Sequence, residues 1–356
     1  MTDNRETLLR VDHLCQYFNV GAGFETKAVD DVSFEIKKGE VFGLVGESGC
    51  GKTTTGRSII RLYDITSGSV YFKGQRIAAG TRSYEDAIAK AKKDLAAATD
   101  ASEKERLKKF IAEQKAEIKS AKRDHKHADP KLVTQIQMIF QDPIASLDPR
   151  MMVKDIIAEG LVIQGEKDKK KIEEKVYEML ELVGLVREHA ARYPHEFSGG
   201  QRQRIGVARS VIMGPELIIA DEPVSALDVS VQAQVINLLN DLRDRFGLTI
   251  MFIAHDLSVV KYFSDRIGVM YFGKMVELAD SDELFAHPMH PYTKSLLSAI
   301  PLPDPIYEKA RKRIVYNPLA EHDYTVDKPS LREVAPGHFV QCNNAEFERI
   351  KKELEA

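Results

Sequence analysis

Short apolar segments alternate with amphipathic ones along most of this chain. Residues 32–36 place apolar side chains at every second position, which predicts a strand with one buried face. Three continuous apolar runs predict strands that are buried on both faces. These runs lie at 41–45, 217–220 and 249–254. Segments 202–213 and 231–246 show helical periodicity, and each directly precedes one of the later runs. Strands that alternate with helices predict an α/β domain built around a mainly parallel sheet.

A segment rich in alanine, lysine and glutamate, at about 81–130, interrupts this alternation. Ser83 with Asp86 and Ser102 with Glu105 have the form of a capping box, which predicts the starts of two helices. Among the apolar side chains, Leu95 lies in the first of these helices, and Leu107, Phe110, Ile111 and Ile118 lie in the second. The segment therefore predicts a helical hairpin, which is either a solvated antiparallel pair or a docking arm for a partner.

The composition changes again after residue 300, where six prolines interrupt the pattern. Proline cannot donate to a sheet ladder, and it breaks helices. We therefore expect 301–356 to be an irregular extension that ends in a short charged helix at about 344–355.

The overall charge is nearly balanced, with a net value of −3 over 356 residues. This balance gives no global reason to expect nucleic acid as a partner. The first ten residues lack the apolar stretch of a signal peptide, and the longest apolar runs are too short to span a bilayer. We therefore expect a cytosolic chain whose link to a membrane goes through a partner.

The three cysteines, Cys15, Cys50 and Cys342, are odd in number and far apart. This spacing argues against a disulfide framework and indicates a reducing compartment. Cys50 lies at a predicted helix start, where partial positive charge should favour the thiolate. Cys50 is then either a thiol that oxidants attack or a small side chain tolerated at a variable position.

Residues 46–53 fit the pattern G-x-x-x-x-G-K-[ST] in full, between a predicted strand and a predicted helix. Glycines let successive backbone N–H groups curl around phosphate oxygens, and the helix N-terminus adds partial positive charge. Lys52 can reach the outer phosphates of a nucleotide, and the Thr53 hydroxyl can ligate Mg²⁺. The residues expected to contact the nucleotide are Gly46, Ser48, Gly49, Gly51, Lys52, Thr53 and Thr54.

The apolar run at 217–220 ends in two carboxylates, Asp221 and Glu222. Asp221 is predicted to hold Mg²⁺, directly or through water. Glu222 is placed to polarise the attacking water as a general base. Acidic residues at strand ends are common, so this assignment depends on the phosphate loop elsewhere in the chain.

A second helix start suited to an anion lies at Ser198-Gly199-Gly200-Gln201. One chain needs a single such site for one terminal phosphate, whereas in a dimer the loop of one subunit can close on the nucleotide of the other. This segment resembles the signature motif of ATP-binding cassette (ABC) proteins, and the resemblance covers about residues 9–301. It implies ATP as the ligand and a P-loop NTPase fold. That fold has a RecA-like core around a parallel sheet, an antiparallel β-subdomain and an α-helical subdomain.

The resemblance implies roles for further residues. Gln141 matches the Q-loop glutamine, which senses Mg²⁺ and water near the transmembrane partner. His255 matches the switch histidine, which contacts the γ-phosphate. The residues matched to the signature loop and the D-loop are Ser198, Gly200, Gln201 and Asp228, of which Ser198 and Gly200 contact the γ-phosphate across the dimer. Phe18 best matches the aromatic ring that stacks on adenine, with Tyr17 as its rival and simple packing as the alternative role.

Two stretches narrow the resemblance to the ATPases of oligopeptide and dipeptide importers. They are residues 141–151 after the Q-loop glutamine, and residues 290–294 with 296–301 after the last core strand. This family implies uptake of peptides, or of nickel and related solutes, at the cytoplasmic face of the membrane. It also implies a second, non-identical ATPase subunit, two permease subunits and an extracytoplasmic solute-binding protein. The expected division is a nucleotide-binding domain at 1–300, with its α-helical subdomain at about 142–210, and an extension at 301–356.

The chain departs from the family pattern in two places. The segment at 81–130 lengthens the distance between Lys52 and Gln141, and the extension holds a single cysteine, Cys342, so we expect no metal cluster there. The main alternative function is an ABC ATPase that works on ribosomes or DNA without a transporter. An exporter is a third possibility, although many exporters carry transmembrane segments on the same chain. The helical insertion is the feature that keeps open the interpretation as an ABC ATPase that works on ribosomes or DNA.

Overall fold

The computed structural model describes residues 5–21, 23–225, 227–300 and 313–355. These residues fall into two compact units. The first unit comprises the residues up to 37 together with 49–133 and 272–274. The second unit comprises 38–48, 134–271 and the residues from 275 onward.

Both units contain strands and helices, which are numbered here along the chain. The strands are β1 (Thr7–Gly21), β2 (Phe24–Lys37), β3 (Val41–Val45), β4 (Ser67–Phe72), β5 (Gln75–Ala79), β6 (Ile136–Ile139), β7 (Leu217–Asp221), β8 (Thr249–Ala254), β9 (Arg266–Tyr271), β10 (Lys274–Asp280), β11 (Ser330–Ala335) and β12 (His338–Cys342). The α-helices are α1 (Lys52–Ile59), α2 (Arg82–Ala97), α3 (Ala101–Lys126), α4 (Pro130–Val133), α5 (Val153–Ile163), α6 (Lys169–Leu182), α7 (Gly199–Val211), α8 (Val229–Phe246), α9 (Leu257–Phe263), α10 (Ser281–Ala286), α11 (Pro291–Ser298), α12 (Pro318–Glu321) and α13 (Asn344–Glu355). Within the described ranges, no helix combines the length and the hydropathy that crossing a bilayer requires.

A four-stranded antiparallel sheet, in the order β2-β1-β4-β5, forms the core of the first unit. The alternation at 32–36 lies in β2, where Val32, Phe34 and Ile36 are at most 5% exposed. The prediction of a half-buried strand is therefore confirmed. This sheet corresponds to the antiparallel β-subdomain that the family resemblance implies.

The insertion forms the predicted helical hairpin, since α2 and α3 pack against each other. Its buried core consists of Ile88, Ala91 and Ile111, with Leu95, Leu107 and Ile118 packed against them. Phe110 does not belong to this core, because it is 38% exposed. At 3.6 residues per turn, position 110 lies about 100° from Ile111 around α3, which places Phe110 off the packed face.

The helix starts within the hairpin differ from the predicted capping boxes. The Asp100 carboxylate accepts a hydrogen bond from the Glu103 backbone N–H at 2.9 Å, so the cap of α3 lies two residues before the predicted cap at Ser102. The first helix follows Thr81 rather than Ser83. Asp100 precedes α3 in an extended conformation, the geometry in which a short side chain can cap the first turn.

An eight-stranded sheet, in the order β11-β12-β10-β9-β3-β8-β7-β6, forms the core of the second unit. The pairs β6–β7, β7–β8, β8–β3 and β3–β9 are parallel. Every residue of β3, β7 and β8 is buried, which explains why these strands are continuous apolar runs. The predicted α/β fold with a parallel sheet is confirmed.

Helices α5, α6 and α7 pack against one another in the stretch expected to form the α-helical subdomain. The boundaries of that subdomain, at about 142–210, and the division at residue 300 stay predictions. The predicted helix at 202–213 is observed as α7, which begins three residues earlier, and the helix at 231–246 is observed as α8.

The C-terminal segment is more ordered than its prolines suggested. Strands β11 and β12 form a hairpin, and β12 pairs antiparallel with β10 at the edge of the large sheet. The expectation of an irregular segment was therefore wrong for these residues, whereas the terminal helix at 344–355 is confirmed as α13. Pro329 and Pro336 lie just outside the strands, where no ladder hydrogen bond is lost. The prolines at 301, 303 and 305 lie outside the described residues.

A buried carboxylate connects the C-terminal hairpin to the start of α11. Glu277 of β10 is fully buried and accepts hydrogen bonds from the backbone N–H groups of Met289 at 2.7 Å and His290 at 3.0 Å. His338 of β12 is also buried, and its Nε2 lies 2.8 Å from Glu277 Oε1. Burial lowers the pKa of His338, but the hydrogen bond and the charge of Glu277 outweigh it and raise that pKa above its usual value.

His290 adds a pH-dependent contribution to the stability of this region. Burial, with smaller effects from His322 and Lys294, lowers the pKa of His290 to about 3. The unfolded chain binds a proton at this position below about pH 6.5, while the folded chain does not. The contribution of neutral His290 to the stability of the folded chain is therefore complete above about pH 6.5 and is lost as the pH falls.

We expect the substitution His290→Asn to remove this pH dependence. Asparagine keeps an acceptor for the Tyr292 backbone N–H, which His290 Nδ1 caps at 3.1 Å, but does not titrate. Between about pH 6.5 and pH 5 the native chain should lose up to about 2 kcal/mol of unfolding free energy relative to the variant. Urea unfolding followed by circular dichroism at both pH values measures this difference. Equal losses in the two proteins would contradict the assignment.

Candidate nucleotide site

The phosphate loop adopts the backbone conformation that its glycines permit. Gly46, Gly49 and Gly51 have φ values of 150°, 81° and 108°, in the region that other residues rarely adopt. The loop follows β3 and leads into α1, whose first turn contains Lys52, Thr53 and Thr54. This strand–loop–helix order is the context that the sequence pattern requires for a phosphate cradle.

Cys50 is enclosed within the loop rather than exposed for reaction. It is 6% exposed, and its Sγ lies 3.8 Å from Lys52 Nζ. Burial raises the pKa of the Cys50 thiol, and the opposing charge of Lys52 does not compensate for it. The expectation of a thiolate at this helix start was therefore wrong, because desolvation outweighs the positive end of the helix.

Three parallel strands of the second unit end side by side at the carboxylate pair. In the ladder, Ile139 of β6 pairs with Ala220 of β7, and Asp221 of β7 pairs with Ile253 of β8. The segments that follow β6, β7 and β8 therefore emerge together at the carboxyl edge of the sheet. Gln141, Glu222 and His255 occupy these three segments.

Glu222 stands at the centre of this edge in an unusual backbone conformation. Its φ is +43°, which is uncommon for a residue with a side chain. Its backbone N–H donates to the Ile253 carbonyl at 3.0 Å, so the sheet ladder holds it in place. Asp221, directly before it, is fully buried at the end of β7. Strained backbone of this kind is often retained where it directs a functional side chain.

One oxygen of Glu222 contacts both neighbouring side chains. Gln141 Nε2 donates to Glu222 Oε2 at 2.9 Å, and His255 Nδ1 lies 3.3 Å from the same oxygen. Glu222 and His255 line a small pocket, which is also lined by Ser225 and Gln232. The arrangement fixes a carboxylate beside a partly exposed imidazole, which suits a base that takes a proton from water.

The signature segment forms a reciprocal cap at the start of α7. Ser198 Oγ accepts from the Gln201 N–H at 3.3 Å, and Gln201 Oε1 accepts from the Ser198 N–H at 3.0 Å. A Cβ atom at Gly200 would lie 2.6 Å from Val231 Cγ1, whereas one at Gly199 would meet nothing closer than 3.7 Å. Gly200 is therefore required by the packing of α7 on α8, whereas a side chain would fit at Gly199.

Asp228 caps the next helix along the chain. Its Oδ1 accepts hydrogen bonds from the Val231 backbone N–H at 3.0 Å and from Ser230 Oγ at 2.7 Å. The Ser230 hydrogen bond is the main cause of the lowered pKa of Asp228, which keeps this exposed carboxylate charged. Asp228 thus fixes the start of α8, one helix after the signature segment.

The two candidates for an adenine-stacking ring differ in how firmly they are held. The Tyr17 hydroxyl donates to Asp30 Oδ1 at 2.5 Å, and its ring lies near the cations of Lys27 and Arg82. Burial and the Asp30 hydrogen bond raise the pKa of Tyr17. The Phe18 ring makes a perpendicular contact with Tyr63, with ring centroids 5.2 Å apart, and has no polar atom to hold it. This difference favours Phe18 as the stacking ring.

Sequence reasoning missed one contact to the phosphate loop. The backbone N–H of Glu47 donates to the Tyr292 hydroxyl at 3.0 Å, across 245 positions of the chain. The segment at 290–294 drew attention only through its resemblance to importer ATPases. No local pattern could have placed a residue of α11 at the loop, because the contact depends on tertiary packing.

Comparison with known proteins identifies the family. The profile of ABC transporters matches residues 29–116 and 105–225, and the profile of the oligopeptide/dipeptide transporter C-terminal region matches residues 276–324. The chain is 54% identical over 343 residues to the oligopeptide transport ATP-binding protein OppF of Bacillus subtilis (strain 168), covering 96% of this chain and 98% of that protein. It is 47% identical to the dipeptide transport ATP-binding protein DppF of Lactococcus lactis subsp. cremoris (strain MG1363), with 99% of each chain covered.

Solved structures agree on the fold. The dimeric, post-hydrolysis structure of the ATP-binding cassette MJ0796 bound to ADP and Pi matches with a TM-score of 0.57 at 22% identity, covering 77% of this chain and 99% of that one. The structure of cbiO1 from Clostridium perfringens matches with a TM-score of 0.56 at 22% identity, covering 80% of this chain and 92% of that one. The chain is therefore an ATPase of the ABC transporter family and belongs to its oligopeptide and dipeptide transport ATP-binding proteins.

Proposed function

We propose that this chain hydrolyses ATP to drive the uptake of oligopeptides or dipeptides, or of a related solute, at the cytoplasmic face of a membrane. The observation that carries the proposal is the 54% identity to an oligopeptide transport ATP-binding protein over nearly the full length of both chains. The match of residues 276–324 to the C-terminal region of peptide transporters adds support outside the shared ATPase motifs. The relatives reported above are named as transport ATP-binding proteins, which favours the importer over the non-transport alternative.

The proposed assembly contains a second cassette subunit, two permease subunits and, indirectly, an extracytoplasmic solute-binding protein, without nucleic acid. The start of α7, where Ser198 is exposed, supports pairing, because a helix N-terminus suits the γ-phosphate of an ATP held by another subunit. In this pair Ser198, Gly200 and Gln201 contact the partner's nucleotide, and Asp228 lies in the adjoining loop. The identity to named transport ATP-binding proteins supports the permease partners.

ATP binding is assigned to the phosphate loop and the antiparallel sheet of the first unit. Phe18 stacks on the adenine ring. The phosphates lie against the backbone N–H groups of the loop, and Lys52 neutralises their charge. The loop and first-turn residues assigned to this contact are Gly46, Ser48, Gly49, Gly51, Lys52, Thr53 and Thr54.

Mg²⁺ accompanies the nucleotide in this proposal. The donors assigned to it are the Thr53 hydroxyl, the Asp221 carboxylate and the amide oxygen of Gln141, a set of hard oxygen ligands of the kind that Mg²⁺ prefers. Gln141 fits this role because its amide nitrogen is the atom that donates to Glu222. When bound, the ion neutralises charge that develops on the phosphate oxygens.

Hydrolysis is assigned to Glu222 as general base. Gln141 and His255 hold its Oε2 from two sides, so the carboxylate keeps one orientation and its other oxygen is left to orient water. His255 also contacts the γ-phosphate, which couples the orientation of the base to the presence of ATP. Differential affinity for ATP and ADP then moves the assembly between two conformations.

The substitution Glu222→Gln tests this assignment. Glutamine keeps the size and the contacts of the side chain but cannot accept a proton, so ATP binding should persist. Hydrolysis at this chain's phosphate loop should fall by about 10²- to 10⁴-fold, the usual contribution of a general base. The measurement is single-turnover cleavage of ATP in an assembly whose second site is inactivated. Glu173→Gln, which changes an exposed carboxylate on α6, is the control. Normal cleavage in the Glu222 variant would contradict the role.

A second experiment tests the transport partners. The Glu222→Gln chain, trapped with ATP, should co-purify from gently solubilised cells with two polytopic membrane proteins and a second cassette ATPase. Mass spectrometry identifies them, and deletion of the gene for this chain should abolish uptake of labelled peptides. Recovery of ribosomal or DNA-bound proteins without a permease would overturn the importer proposal.

A further inference from the structure

Tyr292 of α11 reaches the phosphate loop through its hydroxyl. The Glu47 backbone N–H donates to Tyr292 Oη at 3.0 Å, and Tyr292 is only 2% exposed. Glu47 directly follows Gly46, the first residue of the loop. The orientation of peptide groups in such a loop determines how its N–H groups meet phosphate oxygens. Tyr292 therefore acts on the entrance to the loop.

The tyrosine is held in place from several sides. Its ring packs on Tyr271, with centroids 4.4 Å apart, and on Tyr316 at 5.5 Å. Its backbone N–H donates to His290 Nδ1 at 3.1 Å, which fixes the first turn of α11. Glu277 in turn accepts from the N–H of His290. The hydroxyl is thus a preorganised acceptor rather than the end of a mobile side chain.

We propose that Tyr292 is a positioning residue for ATP binding and that the His290–Tyr292 turn is part of the support of the phosphate loop. The hydroxyl fixes the Gly46–Glu47 peptide, so that the loop is already shaped before the nucleotide arrives. This inference deepens the proposed function and depends only on ATP binding, not on which solute is transported.

The test is Tyr292→Phe, which removes one oxygen and keeps the aromatic packing. The affinity for ATP should fall by about two- to tenfold, the range expected for one hydrogen bond. Cleavage of ATP at saturation should stay within about twofold, because the carboxylate group around Glu222 is untouched. Titration with a fluorescent ATP analogue and single-turnover kinetics measure the two quantities.

Tyr316→Phe is the matched control, since it makes the same change in the same aromatic cluster. It should leave ATP affinity unchanged. Equal affinity in the Tyr292 variant and the native chain would overturn the proposal, as would equal losses in both variants, which would indicate a general effect of the cluster. Failure of the native chain to bind ATP would instead refute the proposed function itself.

A separate observation concerns the charged surface of the helical hairpin. Six exposed lysines of α3 share one side of the helix. At 3.6 residues per turn they fall within a sector of about 60°, along a length of about 33 Å. They are Lys104, Lys108, Lys115, Lys119, Lys122 and Lys126. The only other α3 residue in that sector is Ala101, so this sector of α3 carries no acidic side chain.

The neighbouring helix extends this surface, here called the lysine face. Lys122 Nζ lies 4.0 Å from Glu85 Oε1 of α2, which shows that this side of α2 borders the face. Lys92, seven residues after Glu85, lies on the same side of α2 and is exposed. The chain as a whole has a net charge of −3, so the lysine face is a local concentration of positive charge.

We propose that the lysine face binds anionic phospholipid headgroups. A straight row of ammonium groups suits a flat, negatively charged surface, to which each lysine adds roughly fivefold in affinity. The sector of α3 that carries the six lysines holds no aromatic or arginine side chain of the kind that stacks on bases, which favours lipid over nucleic acid. This proposal rests on the membrane location given under the proposed function.

The test uses the full chain and vesicles of phosphatidylcholine with or without phosphatidylglycerol. The native chain should sediment with the anionic vesicles only, and high salt should release it. Changing Lys104, Lys108, Lys115 and Lys119 to Gln should lower binding by at least about tenfold. The control changes four basic residues away from the face, Lys90, Lys93, Arg106 and Lys109, to Gln. It should keep full binding.

Two results would overturn the lipid assignment. One is equal binding by the lysine-face variant and the control. The other is no vesicle binding by the native chain, which, together with retention of RNA on filters, would identify nucleic acid as the ligand instead. ATPase activity of each variant confirms that the substitutions leave the nucleotide site folded, so a loss of lipid binding is separate from a failure of the proposed function.

Discussion

The proposed catalytic arrangement of the second unit depends on one hydrogen-bonding constraint, the shared use of Glu222 Oε2 by Gln141 and His255. It exists because β6, β7 and β8 are parallel neighbours, so the residues that follow them emerge at one edge. The positive φ of Glu222 turns the chain sharply after the buried Asp221. The rigid sheet thus supplies the geometry, and three short loops supply the chemistry.

The C-terminal segment supports the phosphate loop, although the two are far apart in the sequence. Glu277 binds the turn before α11 and His338 of β12, and α11 presents Tyr292 to the loop that follows β3. A carboxylate buried this deeply is stable only with such hydrogen-bonding partners. The segment matched by the peptide-transporter profile therefore has a physical connection to the phosphate loop in addition to its sequence signature.

The sequence was sufficient where structure follows from local patterns. The continuous apolar runs became β3, β7 and β8, and the phosphate-loop pattern became a glycine-dependent turn before α1. The sequence was insufficient where the structure depends on contacts between residues that are far apart in the chain. Strands β11 and β12 exist because they pair at the edge of the large sheet, the pKa of Cys50 is raised because the fold buries its thiol, and Tyr292 meets Glu47 across 245 positions. The pairing partners of such residues cannot be read from their own neighbourhoods.

The most direct test of the central claim is a double-mutant cycle on single-turnover ATP cleavage with Gln141→Ala, His255→Ala and the double variant. Both side chains hold the same oxygen, so loss of either one already frees the carboxylate. The account predicts that the double variant cleaves ATP clearly faster than expected if the rate losses of the two single variants multiplied. Independent effects, in which the two losses multiply, would contradict a shared role in orienting Glu222.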